Sequence, residues 1–196
     1  MISPEPIPPV VPAGRMAHTD QPVLDLPDGG ALRPWRPDDA DALVAAGLDP
    51  SVRLWNMLGT WTPEEARGRI EGMRRRWEAE SGALWAIVPR GGGAPVGLAG
   101  WNDIDLAAGT AEILYWILPA ARGGGVAAAA ARRVSRWALD ELGLHRVELL
   151  HAVDNPASCR VADKAGFALE GTMRSAVLHA DGWHDMHLHA LVQGDI

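Results

Sequence analysis

The chain has 196 residues, of which 47% are hydrophobic and 22% charged, and its formal net charge is −7. This length allows one domain with a sizeable core and leaves little room for a second. No apolar run reaches the roughly 18 residues of a membrane-spanning helix, so we expect no membrane span. The negative charge disfavours nonspecific binding of nucleic acid, and it suits a cationic substrate as well as simple solubility.

The first 21 residues and the cysteine content indicate where in the cell the protein is expected and how the chain divides into an arm and a domain. Cys159 is the only cysteine, which excludes an internal disulfide framework. Residues 1–14 lack a basic start and a long apolar core, so we predict no signal peptide and a cytoplasmic protein. The proline-rich residues 1–21 predict a flexible arm before a domain at 22–196, and a partner-binding role for the arm stays open.

The first half of the domain predicts strands and helices in alternation. Two short strands flank the turn 28–30, and a helix follows over 38–46. The run Thr62-Pro63-Glu64-Glu65 predicts a helix start, because Thr caps the helix, Pro suits its first position and Glu follows three residues on. Strands at 84–88 and 96–101 form a hairpin around a glycine-rich turn.

The second half completes a sheet. We predict a strand over 111–118, a long helix over 123–142 and a strand over 146–153. Asn155-Pro156 opens a short helix that ends at Gly166, and a terminal hairpin pairs 167–178 with 183–192. This order predicts an α/β (α+β) fold in which a mixed sheet carries helices on both faces.

The most informative segment is the turn Arg122-Gly123-Gly124-Gly125 between a strand and a helix. A helix N-terminus carries unpaired N–H groups and partial positive charge, which favour phosphate. Glycines let the backbone approach a ligand closely, and an arginine adds a bidentate partner. The turn matches neither a P-loop nor a dinucleotide-binding turn, so the alternative is a plain flexible loop.

Several motifs together resemble the GNAT N-acetyltransferase superfamily. Arg122-x-x-Gly125-x-Ala127 resembles its acyl-CoA pyrophosphate motif, and residues 32–40 and 111–119 resemble its first strand with helix and its fourth strand. Residues 155–171 resemble the signature of the RimJ/RimL-like branch, the ribosomal-protein N-terminal acetyltransferases. The resemblance covers roughly residues 22–194. It implies the GNAT acyl-CoA N-acyltransferase fold, with a mixed, mostly antiparallel central sheet.

The resemblance implies acetyl-CoA as cosubstrate, no metal, and direct transfer in a ternary complex. Backbone N–H groups of the fourth strand would hold the thioester and pantetheine. Asn155 would contact the pantetheine or cap its helix. The expected cofactor-binding residues are Ile117, Leu118, Arg122, Gly123, Gly124, Gly125, Val126, Ala127, Asn155 and Ser158.

Two residues are expected to catalyse the transfer. Glu112 is the favoured general base, with His179 and Asp185 as second choices, and an exposed Glu paired with an arginine as the alternative. Ser158 is the favoured general acid, and its alternative is a helix-capping role. Tyr115, the only tyrosine, lies on a strand that we do not expect to reach the leaving group. Val177 stands where relatives of the branch can carry a Glu.

The acceptor is expected to contact Trp35, Trp55, Trp101, His151 and Asp185, although tryptophans are more often core residues. Strand alternation places Asp185, His187 and His189 on one face, a set that could hold a metal, although the family needs none.

We expect the acceptor to be either a protein or peptide N-terminal amine or a small-molecule amine such as an antibiotic or metabolite. Two alternatives remain open: an enzyme that uses a larger acyl-CoA such as succinyl-CoA, and a noncatalytic acyl-CoA-binding regulatory module. The resemblance also makes a homodimer plausible.

Overall fold

The computed structural model describes residues 7–195. In this range the helices are α1 (Ala40–Leu48), α2 (Pro50–Asn56), α3 (Pro63–Glu78), α4 (Val126–Arg136) and α5 (Pro156–Ala165), and α4 continues as a π-helical segment over Trp137–Leu142. The strands are β1 (Leu24–Asp25), β2 (Ala31–Pro34), β3 (Ala83–Val88), β4 (Gly97–Asp105), β5 (Thr110–Ile117), β6 (Arg146–Ala152), β7 (Ala168–His179) and β8 (Gly182–Val192). Among these helices, none is long and apolar enough to cross a bilayer.

All the strands belong to one sheet, in the order β1-β2-β3-β4-β5-β6-β8-β7. Neighbouring strands are antiparallel except β5 and β6, which are parallel. Helices α4 and α5 pack on one face, and α1 and α2 with most of α3 pack on the other. We call these the α4 face and the α1 face. The predicted mixed, mostly antiparallel sheet with helices on both faces is confirmed.

Strand alternation assigns each side chain of the central strands to one face. On β5, Ile113 and Ile117 join the core under α4, whereas Leu114 and Trp116 join the core under α1. On the α4 face, four tryptophans form a contiguous cluster with ring centroids 5.5–6.1 Å apart, namely Trp77, Trp85, Trp101 and Trp137. Most of the tryptophan content of the domain therefore serves the core.

The parallel pair β5 and β6 is short, and its end opens the sheet. Its register runs from Thr110 opposite Arg146 to Glu112 opposite Glu148. Beyond Glu112, β5 continues in register with β4 on its other side, while β6 pairs with β8. The two strands therefore diverge toward their C-terminal ends and leave a gap in the middle of the sheet.

Local sequence signals explain most helix ends. Thr62 and Glu65 form the predicted capping box at the start of α3. Asn155 accepts a hydrogen bond from the Ser158 N–H, and Gly166 ends α5 with a φ of 94°, which suits glycine. The sequence analysis missed α2, because α1 runs one residue past the expected stop at Gly47 and Asp49 then caps a second helix.

The proline-rich segment does not form the predicted arm in its described part. Val11 and Met16 are buried in the core under α4. The Glu80 carboxylate accepts hydrogen bonds from the backbone N–H groups of Gly14 and Met16, both 2.7 Å long. Two buried apolar side chains and the Glu80 carboxylate thus hold the segment to the domain, although its prolines are typical of a flexible arm. Pro4 and Pro6 lie outside the described residues.

Candidate active site

A cavity of about 890 Å³ opens where β5 and β6 diverge. Its walls come from both faces of the sheet, since side chains of α2 and α3 line one end and the starts of α4 and α5 line the other. A small molecule can therefore enter from either face and meet another inside the gap. Both predicted catalytic residues, Glu112 and Ser158, line this cavity.

The glycine-rich turn borders the cavity on the α4 face. Gly123 and Gly125 have φ values of 88° and 80°, a conformation that other residues rarely adopt. A Cβ at any of the three glycines would meet nothing within 4 Å, so the space above the turn is open. Gly125 is the N-cap of α4 and offers no side-chain cap, which leaves the first N–H groups of the helix to an outside acceptor.

Arg122 lies at this turn but is held by protein groups. Its Nε donates to the Ile117 carbonyl at 3.0 Å, and its Nη2 donates to Asp49 at 2.9 Å. Burial acts to raise the pKa of Asp49, but hydrogen bonds from Ser51, Val52 and Arg122 lower it to about 2. The arginine is thereby fixed beside the uncapped helix start, with part of its guanidinium exposed.

The β5 backbone offers hydrogen-bonding groups to the gap. The Leu118 N–H donates to Val96 next to β4, at 2.8 Å. Because the N–H groups of an antiparallel strand alternate in direction, those of Ile117 and Tyr115 point to the other side, where the pairing with β6 has ended. An extended ligand with amide groups can bond there as a neighbouring strand would.

Tyr115 and Ser158 meet on the α4 face, which corrects the sequence analysis. The Tyr115 hydroxyl lies 2.5 Å from Ser158 Oγ. The expectation that Tyr115 lies on the wrong strand is therefore wrong, because alternation turns Tyr115 toward α5 together with Ile113 and Ile117. Burial raises the pKa of Tyr115 to about 12 despite the hydrogen bond to Ser158, so the phenol stays protonated.

Glu112 projects from the α1 face at the point where the gap begins. It is accessible from the cavity and stands opposite Glu148 in the parallel register. Although its side chain is exposed, the surrounding protein removes part of its hydration and raises its pKa, and the negative charges of Glu148 and Asp103 raise it further. A carboxylate in this environment takes up a proton more readily than an ordinary glutamate.

The α1 end of the cavity is rich in aromatic rings. Trp55 lies edge-on to His179 and His184, with ring centroids 5.8 Å apart in both pairs. The Arg69 guanidinium lies 4.2 Å from the centre of the Trp61 ring. Trp55, Trp61, Arg69 and His179 line the cavity. Of these, the sequence analysis placed only Trp55 at the acceptor and His179 as a second-choice base.

Three predicted acceptor contacts lie elsewhere. Trp101 is fully buried in the tryptophan cluster, because alternation turns it to the α4 face under the π-helical segment. Trp35 is buried under α1, 6.0 Å from the Trp116 ring. Asp185 accepts a hydrogen bond from the Ser175 N–H, and it supports an irregularity in β7 where Ser175 has a φ of 47°. His151 does line the cavity.

Most of the predicted cofactor contacts border the cavity. These are Ile117, Arg122, Gly123, Gly125, Val126, Ala127, Asn155 and Ser158. Leu118 packs instead against the core under α1, and Gly124 is exposed at the tip of the turn. Tyr115, Trp61 and Arg69 are cavity residues that the sequence analysis did not assign to the site; strand alternation within 111–118 was the signal that could have found Tyr115.

The chain is similar in sequence to known acetyltransferases. The family model described as acetyltransferase (GNAT) domain matches residues 31–168. A relative in Bacillus subtilis, the uncharacterized N-acetyltransferase YoaA, is 27% identical over 173 residues, which cover 88% of this chain and 97% of YoaA. The ribosomal-protein-serine acetyltransferase of Escherichia coli is 32% identical over 97 residues, 50% of this chain and 54% of the relative.

A solved structure supports the fold. RimL, a ribosomal L7/L12 alpha-N-protein acetyltransferase solved in complex with coenzyme A, superposes with a TM-score of 0.79 and 20% identity. The match covers 89% of this chain and 100% of the RimL chain. The predicted likeness to RimJ/RimL-like acetyltransferases is confirmed.

Proposed function

The chain belongs to the GNAT acetyltransferase family, and from this premise we propose that it transfers an acetyl group from acetyl-CoA to the α-amine of a protein or peptide N-terminus. The observation that carries the proposal is the cavity through the sheet. It joins an uncapped helix start on the α4 face to a carboxylate on the α1 face. Donor and acceptor would enter from opposite faces and react directly in a ternary complex.

The α4 face suits the donor. The uncapped N–H groups of α4 and the fixed Arg122 would bind the diphosphate of CoA. The pantetheine amides would bond to the β5 backbone next to Ile117, where β6 offers no partner in register. This placement would bring the thioester to the middle of the gap.

The α1 face suits the amine. Glu112 would accept a proton from the ammonium group, directly or through water, and its raised pKa makes it a better base than an ordinary glutamate. An α-amine has an ordinary pKa near 7.7–8.0, against about 10.4 for lysine, so it loses its proton to a carboxylate with a smaller penalty. The neighbouring Glu148 and Asp103 add a negative field that attracts a cation.

Ser158 would stabilise the leaving thiolate. Asn155 fixes the start of α5, and the Tyr115 phenol would donate to Ser158 Oγ, which leaves the serine hydroxyl proton free to point into the cavity. Ser158 would then donate a hydrogen bond to the thiolate sulfur as the C–S bond breaks, and keep its own proton. A thiol with an ordinary pKa near 8.5 needs only modest assistance to leave.

Thiol release from acetyl-CoA tests the proposal. We expect turnover with short peptides that carry a free N-terminal amine, and none with the same peptides blocked at the N-terminus but carrying an internal lysine. Initial rates against both substrates should give intersecting lines, as sequential transfer requires. Turnover only with the blocked lysine peptides or only with small amines would refute the assignment of the acceptor. Binding of acetyl-CoA without turnover on any amine would refute the catalytic assignment.

A further inference from the structure

Three histidines and the only cysteine meet on the α4 face, next to the proposed donor site. His151 comes from β6, His187 and His189 from β8, and Cys159 from α5. One ligand atom from each of the four lies within 4.8 Å of the corresponding atom of every other. Strand alternation alone groups His187 and His189 with Asp185, but Asp185 accepts a hydrogen bond from the Ser175 N–H. The other two members come from elements that only the fold brings together.

The hydrogen bonds of this cluster leave a lone pair directed at its centre. His151 Nδ1 lies 2.8 Å from the Ala152 carbonyl, an acceptor only, so Nδ1 carries the proton. A neutral His151 then has an unprotonated Nε2, which accepts a hydrogen bond from His189 Nε2 at 3.2 Å, and a metal ion would take the place of that shared proton. A histidine that donates one ring N–H to a backbone carbonyl and turns its other nitrogen to the cluster has the usual orientation of a metal-binding histidine.

The spacing and the residue types fit one class of ion. Around tetrahedral zinc, adjacent nitrogen and sulfur ligands lie about 3.3–3.6 Å apart, as the Zn–N and Zn–S bond lengths require. The His151 to His189 distance is already 3.2 Å, and the other pairs of ligand atoms, all within 4.8 Å, would have to approach by at most about 1.5 Å. Imidazole and thiolate are ligands that zinc prefers, whereas calcium and magnesium take oxygen.

Burial adds a second, independent observation. His189 is 1% exposed and His151 is 4% exposed. The buried Nδ1 of His187 makes no hydrogen bond within residues 7–195. Buried polar atoms without partners are rare in native proteins, and a bound ion is a standard reason for them. Asp163, one turn after Cys159, also lies near His151 and His189 and adds negative charge to the surroundings.

We propose that His151, Cys159, His187 and His189 bind one divalent transition-metal ion of the zinc class in a tetrahedral site. Binding displaces the thiol proton of Cys159 to solvent and leaves the metal oxidation state unchanged. The ion has four protein ligands and no open position, so its role is structural. It ties α5 to β6 and β8, and thereby fixes the first turn of α5, where Ser158 lies.

Cobalt spectroscopy on the untagged full chain tests this site without any reference to activity. The protein is freed of metal with EDTA and titrated with CoCl2. We expect one Co²⁺ per chain, the visible absorption of tetrahedral cobalt, and a thiolate-to-cobalt charge-transfer band that disappears when one equivalent of ZnCl2 is added. A cobalt spectrum without the thiolate band, or no saturable binding at one ion per chain, overturns the proposal.

Two variants locate the ion. Cys159→Ser should remove the charge-transfer band and weaken zinc binding by more than about tenfold, since even residues behind the ligands have effects of that size. His184→Ala is the matched control, because His184 belongs to a separate group with His179 and Asp181. It should change neither the band nor the affinity. If His184→Ala abolished metal binding and Cys159→Ser did not, the ion would lie at the turn between β7 and β8, and the proposal would be wrong. Circular dichroism checks that each variant is folded.

Discussion

The contact between Tyr115 and Ser158 makes a quantitative prediction about the leaving group. If Ser158 donates to the thiolate, Ser158→Ala removes a hydrogen bond to a charged atom, which is worth about 1.5–3 kcal/mol. At 1.36 kcal/mol for each tenfold change in rate, kcat should fall by about 10- to 150-fold. The KM for acetyl-CoA should change much less, because the bond to the thiolate forms only as the C–S bond breaks.

Tyr115 is predicted to act through Ser158. The 2.5 Å contact joins two neutral hydroxyls, and burial keeps the phenol protonated. Tyr115→Phe removes one neutral hydrogen bond of about 0.5–1.5 kcal/mol, so kcat should fall by about 2- to 12-fold. In a Ser158→Ala background the same change should cost almost nothing further, because its partner is already absent.

Steady-state thiol release of the two single variants and the double variant forms the assay. Ser135→Ala is the matched control, since Ser135 is a fully buried serine away from the cavity and its Oγ has no partner in the described part of the chain. It should leave kcat unchanged. Additive losses in the double variant would show that Tyr115 acts independently of Ser158, and full turnover of Ser158→Ala would remove Ser158 as the acid.

Three further predictions concern the rest of the site and the core. Because Glu112 must be ionised to take a proton, kcat/KM should fall as the pH drops through its raised pKa; Glu112→Gln should abolish this acid limb, and Glu148→Gln should move it to lower pH. An unchanged profile in both variants would contradict this. Arg122→Ala should raise the KM for acetyl-CoA by about tenfold or more with little loss of kcat, since it removes a charge-assisted phosphate contact. Asp49→Asn, which keeps the helix cap, should not raise that KM. Trp101→Ala should lower the free energy of unfolding by about 3–5 kcal/mol in denaturant melts, without changing either KM of the folded enzyme. A selective rise in the KM for the amine would instead show that Trp101 contacts the acceptor.

Local signals in the sequence were enough to predict most of the fold. The capping box at Thr62, the cap and stop of α5 and the alternation within each strand all depend on residues that are close in the chain. The same signals did not predict α2, because one helix follows another there without a clear break. Asp49 ends α1 and at once caps α2, so the second helix is hidden behind the first.

The site was predicted less well, because its members are set by pairing between distant segments. Arg122 was predicted to bind phosphate, but no sequence signal indicated that Asp49, at the start of α2, also pairs with it. A tryptophan can line a pocket or lie in a core, and the sequence alone does not decide between the two for Trp101. Because side chains alternate along β4, a shift of one residue would exchange the acceptor face for the core. His151 and Cys159 have no sequence pattern in common, and they meet only because β6 and α5 both pack beside β8.

The length of the β5 and β6 pairing explains why much of the donor site leaves no side-chain signature. The pairing stops after Glu112, so the β5 backbone from Ile113 to Ile117 turns polar groups to a gap instead of a strand. A buried backbone group without a partner costs about 1–3 kcal/mol, which favours any extended ligand that brings amides of its own. Affinity for such a ligand therefore depends on where the register ends, and substitutions of the Ile117 side chain should affect it less than a proline there, which removes the N–H itself.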